Sequence, residues 1–120
     1  MSESERSKIN FTARAKWEDV KAEFKKFCEM ARSPLSLRFH EEANELIIER
    51  VHDGFVAKRL RFEYDSLVPQ IMWSCCDPDE QRGIISFRVV GNSVVYLADG
   101  RVTFLQEIVR VLSPCVAGDV

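Results

Sequence analysis

Between about Thr12 and Arg32 the apolar residues recur at steps of three and four. Trp17, Val20, Phe24, Phe27, Cys28 and Ala31 fall on one face of a helix, and Lys16, Glu18, Asp19, Lys21, Glu23, Lys25, Lys26 and Glu29 fill the other. Glu18 with Lys21 and Glu23 with Lys26 sit one turn apart and support the helix weakly. Thr12 is the expected N-cap. Ser33-Pro34 is the expected stop, because a residue before proline avoids the α region. Ahead of the helix, residues 1–11 are polar and show no apolar period, so they are expected to form a frayed or disordered arm. The single domain is expected to run over residues 12–116.

Downstream the period changes to two. Leu35, Leu37 and Phe39 alternate with Ser36, Arg38 and His40, the pattern of a half-buried strand. Polar residues from Glu41 to Asn44 read as a turn. Leu46 to His52 and Phe55 to Tyr64 read as two strands joined at Asp53-Gly54, a two-residue hairpin signal. Leu67 to Cys76 is a further strand, restricted by Pro69 to an edge, a bulge or a strand start. The acidic run from Asp77 to Gly83, with Pro78, reads as an exposed loop. Gly83 to Val90 and Ser93 to Ala98 form a second hairpin about Gly91-Asn92, with Ile85, Phe87 and Val89 on one face. After Asp99-Gly100, a largely apolar helix is expected over about Thr103 to Ser113, with Thr103 and Gln106 as a capping box and Pro114 at its end.

The Asp53-Gly54 turn implies a register. A two-residue loop pairs His52 with Phe55, Val51 with Val56, Glu49 with Lys58 and Ile47 with Leu60. Ile47, Glu49, Val51, Val56, Lys58, Leu60, Phe62 and Tyr64 then share the face turned to the core. Leu46, Ile48, Arg50, His52, Phe55, Ala57, Arg59 and Arg61 share the open face. Glu49 opposite Lys58 is a favourable cross-strand pair. The fold class that follows is α+β: a two-layer sandwich, with a long N-terminal helix and a short C-terminal helix on one face of an antiparallel sheet of about six strands.

A chain of 120 residues suits one domain, and its 46% apolar and 30% charged residues are ordinary for a globular protein. The near-neutral balance, formally −2, speaks against a dedicated nucleic-acid binder. No apolar run reaches the roughly 20 residues of a membrane helix. The opening residues carry no apolar segment of the kind that directs secretion. A cytoplasmic setting is therefore expected, with Cys28, Cys75, Cys76 and Cys115 as free thiols.

Candidate chemistry is sparse. Cys75 and Cys76 are adjacent, Cys28 and Cys115 are far off, and the two histidines lie at different heights of the sheet, so the spacing of a metal site is missing. The same residues supply no nucleophile–base–orienter signature. Asp77, Asp79 and Glu80 lie in a segment expected to be wet, where carboxylates keep ordinary acidity. No phosphate-binding glycine motif is present. No catalytic residue, metal or cofactor is expected.

Two surfaces remain. The derived open face gathers Leu46, Ile48, Arg50, His52, Phe55, Arg59 and Arg61, with Arg38 and His40 nearby. Aliphatic, aromatic and arginine side chains together are the composition of a protein interface. The leading expectation is a non-enzymatic module that self-associates as a homodimer or binds a protein partner there. Trp17, Phe24, Phe62, Tyr64 and Trp73 lie between helix and sheet. They line the pocket of the alternative reading, a small-molecule-binding or enzymatic domain. A weaker third reading takes the basic stripe as a nucleic-acid surface.

Overall fold

A computed structural model describes residues 2–31, 37–76 and 80–117. Helix α1 (Glu3–Met30) is followed by strands β1 (Leu37–Glu41), β2 (Glu45–His52), β3 (Phe55–Asp65), β4 (Gln70–Cys76), β5 (Glu80–Val90), β6 (Ser93–Ala98) and β7 (Arg101–Thr103). Two short helices, α2 (Leu105–Leu112) and α3 (Pro114–Ala117), close the chain. The seven strands form one antiparallel meander in sequence order. The helices lie on one face, giving the expected α+β sandwich with one strand more than the pattern suggested. The extra strand is β7, for Asp99-Gly100 is a hairpin turn and not a lead-in to the last helix.

Helix α1 starts nine residues earlier than Thr12. Ser2 is its N-cap, accepting from the Glu5 amide at 3.1 Å, and Glu3 and Glu5 complement the positive end of the helix. Ile9, Ala13, Trp17, Val20 and Phe24 are buried in one stripe, so the segment expected to be a loose arm contributes Ile9 to the core. Thr12 lies inside the helix, its hydroxyl donating to the Lys8 carbonyl at 2.7 Å. The expected stop at Ser33-Pro34 falls outside the described residues. No described helix is long and apolar enough to cross a membrane.

Three α1 side chains hold the turn between β1 and β2. Arg14 donates to the Ala43 carbonyl at 2.9 Å and to Asn44 Oδ1 at 2.8 Å, and Trp17 Nε1 donates to the same Ala43 carbonyl at 2.8 Å. Lys21 is buried along its stem and places Nζ 3.1 Å from both Glu18 and the Glu42 carbonyl. At the other side of the sheet the Tyr96 hydroxyl donates to the Lys16 carbonyl at 2.9 Å. Burial, with the Asp19 charge added, pushes the Tyr96 phenol well above its ordinary range.

The β2–β3 register departs from the one the turn implies. His52 faces Phe55 and Val51 faces Val56 as expected, but the pairing shifts between Val51 and Arg50. Arg50 then faces Lys58, and Ala57 is the extra residue of a bulge. Glu49 faces Arg59 rather than Lys58, Ile48 faces Leu60 and Leu46 faces Phe62. Leu46 and Ile48 are therefore fully buried in the core with Leu60 and Phe62, and Ile47 and Glu49 turn outward. The physical reason is direct: unbulged pairing would set Leu46 and Ile48 against Arg61 and Arg59.

The expectation of four free thiols also fails. Alternation along β4 turns Cys75 toward the helices, where it forms a disulfide with Cys115 of α3, their Cα atoms 6.2 Å apart. Cys28 and Cys76 remain free. Arg50 Nη1 of β2 donates to the Ala117 carbonyl at 3.1 Å, and Val116 is fully buried, so with the disulfide to β4 three contacts fix α3 over the sheet.

Candidate functional site

The outward face of the sheet divides into two regions. On β1 to β3 the side chains neutralise one another. Glu49 lies between Arg38 at 3.1 Å and Arg59 at 2.8 Å, and Arg61 reaches Glu45 at 2.6 Å and Glu63 at 3.5 Å. Arg59 and Arg61 each bring Nε and Nη2 to a single carboxylate oxygen. Arg38, Arg59 and Arg61 of the basic stripe are thus matched by glutamates from the same face, and Arg50 lies under α3.

On β4 to β7 one row of outward positions is apolar, beside Ser74, Arg82, Ser86 and Arg88 on the same face. Met72 faces Ile84 across the ladder, and Leu97 faces Val102. Ser86 stands opposite Leu97, two residues along β5 from Ile84, so Ile84 and Leu97 are diagonal neighbours. The row crosses four strands on the face away from the helices. Ile84 keeps 51% of its surface exposed and Val102 43%.

This row turns the corner of the sheet into a cleft. Past Ala98 the chain bends into β7, and α2 crosses on the helix side. The space left there holds about 630 Å³ and is lined by Trp73, Ile84, Ile108 and Val111 together with Asp99 and Arg101. A shallower depression of about 520 Å³ on the open face also touches Trp73 and Ile84, and includes Arg61 and Arg82. Trp73 fits where it does because Gly83 stands opposite it. A Cβ at Gly83 would collide with the indole ring. The row, the depression and the cleft meet at Ile84, with Arg61, Glu63, Glu80 and Arg82 lining the depression.

Of the seven residues expected on one open face, the fold scatters five. Leu46 and Ile48 are core. Arg50 is half-buried under α3. His52 and Phe55 are at the tip of the β2–β3 hairpin, where Phe55 is 77% exposed. Arg59 and Arg61 alone are outward, and both are ion-paired. The expected pocket is largely filled: Trp17 stacks on Tyr64 with ring centroids 5.8 Å apart, and Phe24 meets Phe62 at 4.9 Å. Trp73 of that group lines both the cleft under α2 and the depression on the open face. Met72, Ile84, Leu97, Val102 and Val111 were not among the expected site residues. The alternation of Met72 and Ile84 with buried Ile71 and Ile85 is the signal that marks two of them.

His40 approaches Glu42 at 3.4 Å and His52 approaches Asp53 at 3.3 Å, at separate corners of the sheet. Among the described residues no three His, Cys, Asp or Glu side chains converge to hold a metal ion. Burial, helped by the Glu29 charge, pushes the Cys28 thiol up to about 11, which keeps it protonated and a poor nucleophile at neutral pH. Comparison of the chain with protein-family models, with curated proteins and with solved structures finds no match.

Proposed function

We propose that the chain is a non-enzymatic interaction module that binds protein through its open sheet face, with a second copy of itself as the simplest partner. The observation that carries this reading is the apolar row Met72, Ile84, Leu97 and Val102, laid across four strands on the uncovered side. An apolar centre bordered by paired charges is the anatomy of an interface. Burying what remains exposed of Ile84 and Val102 returns about 1 kcal/mol each, which favours association when several such residues are covered together. The charge pairing on β1 to β3 withdraws support from the nucleic-acid reading, because a phosphate backbone needs cations that are free to meet it. Sedimentation over micromolar to millimolar concentration tests the proposal. The wild-type chain is expected to associate, and Val102→Glu to lower its mass at a given concentration while leaving its circular dichroism unchanged. A chain that stays monomeric throughout, or whose association ignores Val102→Glu, removes self-association by this face.

One observation favours a second reading, small-molecule binding. The cleft under α2 joins an indole wall to apolar neighbours and to a few polar groups, Asp99, Arg101 and Glu107, the usual make-up of a ligand site. Titration with an apolar dye, read by Trp73 emission, tests it. Binding that Val111→Glu abolishes supports the cleft, and no binding at any concentration discards it.

A further inference from the structure

We propose that β5 carries a second contact, separate from the open face: its free edge pairs antiparallel with the same edge of a second copy, about a two-fold axis at Gln81. Glu80 of each copy then faces Arg82 of the other.

The edge follows from the register. Gly91-Asn92 is a two-residue loop, with Gly91 at φ 62° and Val90 opposite Ser93. In such a hairpin the flanking pair exchanges both main-chain hydrogen bonds, and every second residue then points its N–H and C=O the same way. Counting back from Val90, residues Arg88 and Ser86 bond to β6, and Ile84, Arg82 and Glu80 point to that same side. But β6 ends at Ala98, opposite Ile85, and leaves through Asp99-Gly100. On that side Glu80, Arg82 and Ile84 have no strand neighbour among the described residues. On the other side β4 pairs with β5 along the same stretch, so the strand is held extended. All three residues are exposed, and the cleft bordered by Ile84, Asp99 and Arg101 opens where β6 has turned away. A rigid strand with three outward amide–carbonyl sets is a template for another strand.

Charge selects the occupant. Glu80 and Arg82 point to the same face and bind each other at 2.9 Å. A two-fold at Gln81 sets unlike charges directly opposite each other twice, and matches outward main-chain groups with outward main-chain groups. Moving the axis one residue either way sets Glu80 against Glu80 or Arg82 against Arg82. Like charges directly opposite destabilise a strand pair. The alternation therefore admits one self-pairing register and penalises its neighbours, whereas an arbitrary partner strand gains no such match.

Native mass measurement on the full chain tests the contact. Arg82→Pro removes an amide that has no intramolecular partner, so the fold is expected to persist and the edge-paired dimer to disappear. Glu80→Arg is expected to weaken dimerisation by about tenfold or more, since it turns two attractive pairs repulsive. Glu80→Arg with Arg82→Glu restores the pairing with the signs exchanged, and is expected to recover the dimer. Val102→Glu is expected to leave this dimer intact. Loss of dimer in Val102→Glu with indifference to the β5 variants overturns the edge contact and leaves the open-face reading standing. A monomeric wild-type chain, or a double charge exchange that fails to restore what Glu80→Arg removes, also overturns it.

Discussion

The hairpins β2–β3 and β5–β6 are both closed by two-residue turns, yet they solve the same problem differently. In β5–β6 the regular register already sets apolar on apolar: Ile85 faces Ala98, Phe87 faces Tyr96 and Val89 faces Val94. In β2–β3 the regular register would set aliphatic residues on arginines, and Ala57 is spent in a bulge to correct it. A turn thus fixes only the first pairs beside it, and burial decides the rest of the strand. Their outward faces differ as well. The bulged hairpin closes its surface with Glu45, Glu49, Arg59 and Arg61 bound to one another. The regular hairpin and its neighbours leave Ile84 and Val102 uncovered, and it is there that recognition is proposed.

The largest expected effect concerns the disulfide that ties α3 to β4, next to the bulged hairpin. Reduction of Cys75–Cys115, or Cys115→Ser, frees a loop spanning 40 residues of sequence and is expected to cost about 4 kcal/mol. Denaturant unfolding with and without a dithiol measures it, and two reactive thiols rather than four are expected in the unfolded, unreduced chain. Four reactive thiols would remove this tie. Next is the register itself. Ile48→Ala is expected to cost about 3 kcal/mol as a core truncation, and Ile47→Ala less than about 1 kcal/mol. The reverse order would restore the unbulged pairing.

In the second region Gly83→Ala is expected to cost about 2 kcal/mol, because the new methyl group displaces the Trp73 ring, and the tryptophan emission should shift with it. An unchanged spectrum would mean that Trp73 does not lie over Gly83. The smallest effect sharpens the comparison most. Deletion of Ala57 should make the two hairpins alike, keeping Leu46 opposite Phe62 and Ile48 opposite Leu60, at a cost within about 1 kcal/mol. Loss of cooperative unfolding on that deletion would show the bulge to be required rather than merely used.

Much of the fold was legible because period and turn chemistry agree along most of the chain. The α1 stripe, the Gly91-Asn92 hairpin and the helices-on-one-face arrangement all follow from the spacing of apolar residues. Besides β7, three features did not follow. Ile9 continues the stripe of Ala13 and Trp17 at steps of four, but isolated among polar residues it carried too little weight to mark the helix start. The bulge leaves no local mark at Ala57. It becomes visible only when Leu60 and Phe62 are required to meet Leu46 and Ile48, a requirement of packing and not of the turn. The disulfide depends on α3 folding back over β4, a long-range contact that spacing does not encode. The interface residues were misplaced for the second reason: a one-residue error in register exchanged core for surface along β2, and made Leu46 and Ile48 look like a patch. The same alternation, read correctly on β4 and β5, leads to Met72 and Ile84.

The contrast between a self-satisfied region and an open one is tested most directly by sedimentation of the wild-type chain beside Val102→Glu and Glu49→Ala. Glu49→Ala frees two arginines on the closed region, and Val102→Glu puts a charge in the apolar row. The expected result is a concentration-dependent mass that Val102→Glu lowers and Glu49→Ala leaves as it was. A mass that responds to Glu49→Ala and not to Val102→Glu would contradict the account.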